Sequence, residues 1–341
     1  MATIPNSQNF PQFSQADIIS EMKKVSNIDI SDFRFYPAIQ NRPNEIIKIE
    51  SEENGIVLTF GTVARKALLS YTHETSLHLY KPADATVDTL YLHINIWTDD
   101  IFRVVFSKEK KISNPFSGLP ENARMLIAKP EKVEFTLDET ENKITLTTSK
   151  TEITVDKKTT RISAKFIDGK EFYSQKKQDF RTGDIHDLAL ADSDNDYACF
   201  EALELESDEI IYGLGERFDS LTRNGRTVDF HNKDAVGTTS RRAYINIPFY
   251  LSTKGYGLFL NSGAKTDWQI ATTDLSALQF AVLDSQLDYF VIGGKTPKDI
   301  IKGYCSLTGF SKLPPLWSFG LWMSRNSYVS WDVVDDIAKK V

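Results

Sequence analysis

The sequence predicts a mainly β chain: an antiparallel β-sandwich followed by the first βα unit of an incomplete (β/α)8 barrel. Two observations point there. Short apolar segments separated by turn residues recur between Ile47 and Ile167, at a spacing that suits a sandwich better than βαβ units. Near the end, a proline-rich joint leads into a near-continuous apolar run and then an amphipathic stretch, which is the order strand, loop, helix.

The elements follow in chain order. Ser14 is placed to cap a short helix whose apolar residues Ile18, Ile19, Met22 and Val25 recur at helical spacing. Beyond Pro37 and Pro43 the texture alternates. Ile47–Ile49 and Ile56–Phe60 flank Asn54-Gly55, a pair favoured in tight hairpins. Leu90–Ile96 and Ile101–Phe106 flank Thr98-Asp99-Asp100, a second hairpin. Val133–Leu137, Ile144–Thr148, Ile153–Val155 and Ile162–Ile167 continue the series up to the turn at Asp168-Gly169. The stretch from Lys176 to Asn195, with Asp192 and Asp194, reads as a solvated acidic connector, and Asp196 follows it. It lacks the glycine and final glutamate of a calcium loop.

Lys298–Tyr304 reads as a helix, capped by Thr296 with Pro297 as its first residue and Gly309 where the chain leaves it. Leu313-Pro314-Pro315 makes a stiff joint. Leu316–Met323 is apolar almost throughout and is predicted to be a strand buried on both faces. Ser330 then caps a final helix with Trp331, Val334, Ile337 and Val341 on one stripe. The expected organisation is a helical lead-in over 1–45, a sandwich over 46–295, a linking helix and joint over 296–315, and the barrel start over 316–341. A closed barrel of this kind needs about 250 residues, and 26 follow Pro315. Truncation is therefore the expectation.

Composition narrows the function. Hydrophobic residues make up 41% of the 341 and charged ones 26%, as in ordinary folded proteins. A net charge of −7 argues against a nucleic-acid partner. Lys108, Lys110 and Lys111 read as solvated gatekeepers at a strand end. Neither a basic and apolar leader nor an apolar run of about 20 residues is present, so a cytoplasmic protein without a membrane partner is expected. Cys199 and Cys305 read as reduced, small hydrophobes, and the five histidines show no metal-ligand spacing. His93, between Leu92 and Ile94, is expected to be structural. No cofactor or metal is expected.

The densest signal begins at Tyr212-Gly213-Leu214-Gly215-Glu216-Arg217-Phe218. Two glycines without a third that opens a helix do not make a dinucleotide loop. Arg223-Asn224-Gly225-Arg226-Thr227-Val228 follows, then Asn232-Lys233-Asp234, Ala243–Tyr250, and Gly255–Asn261. In this order, and continuing through Thr296–Ile301 to Pro314–Trp322, these strings resemble the family 31 glycoside hydrolases, most closely the bacterial α-xylosidases. The likeness is strong over roughly the last 130 residues and general before them.

The resemblance implies a galactose-mutarotase-like sandwich ahead of a barrel, and a retaining α-glycosidase acting on an α-linked oligosaccharide or glycoside. Such an enzyme holds two carboxylates about 5 Å apart across the sugar. By the resemblance both are aspartates beyond residue 341, so no catalytic residue is assigned within this chain. What remains is sugar recognition. Asp234 matches a position from which a loop reaches over the barrel mouth, and an ionised carboxylate accepts hydroxyl protons strongly. Trp322, Arg325 and Asn326 follow the first barrel strand, at the end where barrel sites form. Trp322 suits either an apolar sugar wall or the core. Arg325 suits a hydroxyl contact or a rim salt bridge. Asn326-Ser327-Tyr328 stands where xylosidase relatives often carry an aromatic, which keeps glucose beside xylose as the sugar. Phe249, Tyr250 and Tyr256 are expected to pack between sandwich and barrel. Alternatives are a non-catalytic carbohydrate- or partner-binding sandwich, and an epimerase using a histidine and a carboxylate. A homo-oligomer of the full-length enzyme stays open.

Overall fold

The computed structural model of the protein describes residues 39–68, 79–116, 119–120, 124–176, 188–193, 196–230, 232, 243–272, 274–322 and 327–340. The helix expected behind Ser14 lies outside them. Two compact units are Met1–Thr308 and Gly309–Val341.

The described part of the first unit opens with β1 (Ile39–Glu52), β2 (Gly55–Leu68), β3 (Leu79–Ala83), β4 (Thr89–Thr98) and β5 (Ile101–Ser107). Five short strands follow: β6 (Thr136–Glu139), β7 (Lys143–Thr147), β8 (Thr151–Asp156), β9 (Ile162–Phe166) and β10 (Glu171–Ser174). Next come β11 (Ala189–Ser193), β12 (Asp196–Glu204), β13 (Ile211–Gly213), β14 (Arg226–Phe230) and β15 (Phe249–Ser252). The last are β16 (Tyr256–Leu260), β17 (Thr266–Ile270), β18 (Ala277–Val282) and β19 (Gln286–Gly293), followed by helix α1 (Pro297–Thr308).

One sheet of fourteen strands runs β13-β15-β16-β19-β5-β4-β2-β1-β11-β12-β18-β17-β14, with β3 paired to β2. A second, five-stranded sheet is the meander β10-β9-β8-β7-β6. Pairing is antiparallel in both, as the spacing predicts. The first hairpin turns on Glu53 and Asn54, with Glu52 facing Gly55. The second turns on Asp99 and Asp100, with Thr98 facing Ile101.

Packing explains the patterns. In β8 and β9 alternate residues are buried, Thr151, Ile153 and Val155 on one strand and Ile162, Ala164 and Phe166 on the next. β16 to β19 are buried at every residue, polar Asp267, Gln269, Gln279 and Asp288 included. Ile94 and Leu92 from the large sheet share one cluster with Leu146, Ile153 and Phe172 from the small one. Each is fully buried, a gain of about 2 kcal/mol per side chain. Tyr250 and Tyr256 belong to that same core, edge-on at 5.8 Å. Phe249 instead stacks on Tyr304 of α1 at 4.1 Å, in a second cluster with Phe259, Phe290, Ile300 and Leu307.

α1 starts where the sequence places it. The Thr296 hydroxyl accepts the Asp299 N–H at 3.3 Å, and the Asp299 carboxylate accepts the Thr296 N–H at 3.0 Å. This reciprocal cap satisfies two donors that the helix cannot. His93 is structural, as expected: it is 3% exposed, with one ring nitrogen 2.8 Å from the Lys110 carbonyl and the other 3.3 Å from Glu52. Lys110 bonds Glu50 at 2.7 Å.

Two expectations need correction. The acidic connector is interrupted by β11, which bridges β1 and β12. Ala189, Leu190 and Ala191 are buried because small and branched apolar side chains fit a central strand whatever acids flank them. In the second unit, Leu316–Phe319 is a single 3-10 turn rather than a strand. The Ser318 N–H bonds the Pro315 carbonyl at 3.0 Å, and the Gly320 N–H bonds Trp317 at 3.1 Å. A strand buried on both faces takes its ladder from neighbours on both sides, and among the described residues no strand follows β19. Leu316, Trp317, Leu321 and Trp322 are exposed instead. Helix α2 (Trp331–Lys340) does form, with the Val333 N–H on the Ser330 hydroxyl at 3.3 Å.

Candidate functional site

The motif strings meet where the long sheet ends. β13 and β14 are the two terminal strands of its path, yet few residues separate them in sequence. The Arg223 N–H bonds the Ile211 carbonyl at 2.8 Å, and the Asn224 side chain accepts the Ile211 N–H at 2.9 Å while donating to Glu209 at 2.8 Å. The two ends of the sheet are thereby joined.

The glycines of Tyr212–Phe218 have a structural cause. Gly213, Leu214 and Gly215 all take left-handed backbone, at φ of 115°, 62° and 85°. A Cβ on Gly213 would lie 2.7 Å from the Phe249 carbonyl oxygen, and one on Gly215 would lie 2.3 Å from that of Ile245. Two backbone bonds draw the strings this close: Leu214 N–H to Phe249 at 2.8 Å and Glu216 N–H to Ile245 at 3.0 Å. Leu214 tolerates the strain, about 1–2 kcal/mol, because its side chain is wholly buried in the core.

Two arginines hold the turn. Arg223, 5% exposed, donates from Nε to the Gly213 carbonyl at 2.8 Å and from Nη1 to the Ser220 carbonyl at 2.9 Å, and pairs with Asp219. Arg217 lies over the Phe230 ring at 5.4 Å and donates from Nε to Leu214 at 3.2 Å. Its Nη2 reaches the Asn246 side-chain oxygen, and the Asn246 amide nitrogen donates in turn to the Asn232 side-chain oxygen. Burial, and then the Arg223 cation, draws the Arg217 pKa downward from its usual value. Exposed apolar side chains surround this seam: Phe218, Leu221, Tyr244, Ile245 and Ile247.

Of the residues the sequence singles out for sugar contact, Asp234, Arg325 and Asn326 lie outside the described residues. Trp322 is described: within this chain it is 79% exposed, with its indole N–H on the Ser318 carbonyl at 2.5 Å. Sequence reading quoted Arg217, Arg223 and Asn246 without giving them a task. Their signal was position: each flanks the glycine turn or the string it packs on.

A cavity of about 940 Å3 lies elsewhere, among the β4–β5 turn, the β9–β10 turn and the first turns of α1. Four of its charged lining residues are paired, Lys150 with Asp100 at 2.7 Å and Lys295 with Asp168 at 3.2 Å. Among the described residues, no three histidine, cysteine or acidic side chains converge for a metal.

Comparison with known proteins gives this arrangement a family. The family described as "Glycosyl hydrolase 31 N-terminal galactose mutarotase-like domain" matches residues 91–268. The chain belongs to glycoside hydrolase family 31. An alpha-xylosidase of this similarity, XylQ from Lactiplantibacillus pentosus, is 47% identical over 126 residues, which are 37% of the chain and 16% of XylQ. Alpha-glucosidase 2 from Bacillus thermoamyloliquefaciens is 29% identical over 261 residues, 74% of the chain and 30% of that protein. The cycloalternan-forming enzyme of Listeria monocytogenes, solved with a pentasaccharide substrate, superposes with a TM-score of 0.67 at 23% identity. That match covers 90% of the chain and 26% of the Listeria enzyme, and it shows the shared fold. The family 31 chain thus spans under a third of the length of these relatives, and its sandwich is of the galactose-mutarotase type.

Proposed function

We propose that this chain is the amino-terminal, site-framing portion of a cytoplasmic retaining α-glycosidase, an α-xylosidase first and an α-glucosidase second. The observation that carries the reading is the 47% identity with an alpha-xylosidase over 126 residues, well above the 29% shared with an alpha-glucosidase. The substrate is a non-reducing-end α-linked sugar. The two reactive aspartates belong to the portion that follows residue 341, so these 341 residues alone carry out no hydrolysis.

Within that reading, Asp234 accepts protons from sugar hydroxyls. Trp322 supplies an apolar wall, and Arg325 and Asn326 bond hydroxyls at the barrel mouth. The exposed apolar residues Phe218, Leu221 and Ile245 support the reading of this chain as one portion of a larger fold, since surfaces of this kind mark contacts still to be made. The experiment is Asp234→Ala in the full-length enzyme. A fall in kcat/KM of about tenfold or more is expected; kinetics equal to the parent remove Asp234 from the site.

A further inference from the structure

A smaller cavity, of about 310 Å3, opens beside β5 and the end of β16. A buried carboxylate orders one side of it. Asp288 on β19 accepts the Arg103 fork, Nε to Oδ1 and Nη2 to Oδ2, both at 2.7 Å. It also accepts the Asn261 side-chain N–H at 2.7 Å, while the Asn261 backbone N–H bonds the Asp288 carbonyl at 2.8 Å. A carboxylate only accepts, so the Asn261 nitrogen must face it and the amide oxygen must turn away. Asn261 lines the cavity and is 2% exposed, and that oxygen has no hydrogen-bond partner among the described residues.

A second bare atom belongs to the same lining. Arg124 Nε is buried and without a partner among the described residues, while Nη2 of the same side chain bonds the Leu119 carbonyl at 3.3 Å. Phe116, Leu126 and Ala128 add apolar wall. These walls are tied down. The Ser113 N–H and hydroxyl meet the Gln286 side-chain oxygen at 2.8 and 3.1 Å. Phe116 is buried, its N–H bonds the Asn114 side-chain oxygen at 3.0 Å, and a Cβ on Gly263 would lie 3.1 Å from its ring. The N–H groups of Ile127 and Ala128 both bond the Leu307 carbonyl of α1, at 3.0 and 3.1 Å.

We infer that this cavity binds a neutral polyol the size of a monosaccharide, whose hydroxyls donate to Asn261 Oδ1 and accept from Arg124 Nε. The two bare atoms decide the chemistry. One needs a donor and the other an acceptor, and a hydroxyl is both. A buried polar atom left without a partner carries its full desolvation cost, which such a ligand relieves at both positions. An anion would satisfy Arg124 but brings no proton to Asn261, whose oxygen repels it. Arg103 does not alter this, because Asp288 already neutralises it. Arg124 is half-buried, so water screens its charge. The volume stands at the small end of ligand cavities, and Phe116 and Leu126 suit the C–H face of a sugar ring. The site needs no assumption about the reaction of the full-length enzyme.

The test titrates the 341-residue protein with D-xylose and D-glucose, read by saturation-transfer NMR, with sodium sulfate and sodium acetate as charged competitors. At least one sugar is expected to bind saturably, with a Kd of about 1–10 mM. Neither salt should displace it more than sodium chloride does at equal ionic strength. Arg124→Met should weaken binding about tenfold. Arg124→Lys should weaken it as much, since lysine keeps the charge but loses the Nε–H. Leu126→Trp, which fills the space and leaves every polar group in place, should abolish binding. Melting temperatures check that each variant folds. If Leu126→Trp does not, the two Arg124 variants decide, because that side chain is half-buried and its one hydrogen bond among the described residues is to Leu119. Absence of saturable binding up to about 100 mM leaves the cavity to water and overturns the site. Displacement by sulfate or acetate, or parental affinity in Arg124→Lys, points to an anion and overturns it equally. Parental affinity in Arg124→Met puts the sugar elsewhere on the protein, with the same consequence.

Discussion

The Tyr289 hydroxyl donates to the Glu201 carboxylate at 2.9 Å in the middle of the sandwich, and Tyr173 of the opposite sheet meets Tyr289 at 2.7 Å. Glu201 also accepts the Gln175 amide at 2.7 Å and the Ala202 N–H at 2.9 Å. The group is wholly buried and sits between both layers, so its proton is coupled to the integrity of the fold.

Burial pushes the Glu201 pKa from 4.5 up to about 7, against the pull of its three hydrogen bonds. A raised folded value means that the native state holds the proton longer than the unfolded chain. The resulting stabilisation is full below the unfolded value and fades as pH rises to about 7. The difference is about 3 kcal/mol across that window. Urea melts of the parent and Glu201→Gln at pH 5 and pH 8 check it. The parent should lose stability relative to the variant on going to pH 8; parallel pH dependence would show that Glu201 does not titrate in the window.

Gly215→Ala and Gly169→Ala form an informative pair. Both positions have left-handed backbone, at 85° and 95°. Around Gly169 a Cβ meets nothing within 4 Å, whereas at Gly215 it meets a carbonyl oxygen at 2.3 Å. Gly169→Ala should cost about 1 kcal/mol, the conformational penalty alone. Gly215→Ala should cost at least about 3 kcal/mol, because two backbone segments must separate. Equal melting temperatures would mean that the close approach at Ile245 is absent.

Thr296→Ala removes the hydroxyl that caps α1 and meets the Asp299 carboxylate at 2.8 Å. A loss of about 1 kcal/mol is expected by chemical denaturation. Thr296→Ser, which restores the oxygen, should recover most of it.

Legibility followed the physics of each element. Hairpins at Asp99-Asp100 and Asp168-Gly169 were readable because turn residues and two-residue alternation are local. The capped start of α1 was readable for the same reason. β11 was hidden because Asp192 and its acidic neighbours masked the short Ala189–Ala191 core. The run Leu316–Met323 misled because composition reports a need for burial, while a strand also requires partners. At the site, the strings identified the family, yet the Arg217–Asn246–Asn232 line was invisible. Its members carry no local pattern and are brought together by backbone contacts such as that of Glu216 N–H on the Ile245 carbonyl.

The most direct measurement of the proposed function is release of the aryl group from aryl α-xyloside and aryl α-glucoside. The full-length protein and the 341-residue chain would be purified separately and assayed side by side. The full-length protein should turn over at least one substrate, with the xyloside preferred, and the chain neither. Hydrolysis by the chain itself, or inertness of the full-length protein toward both, would contradict the account.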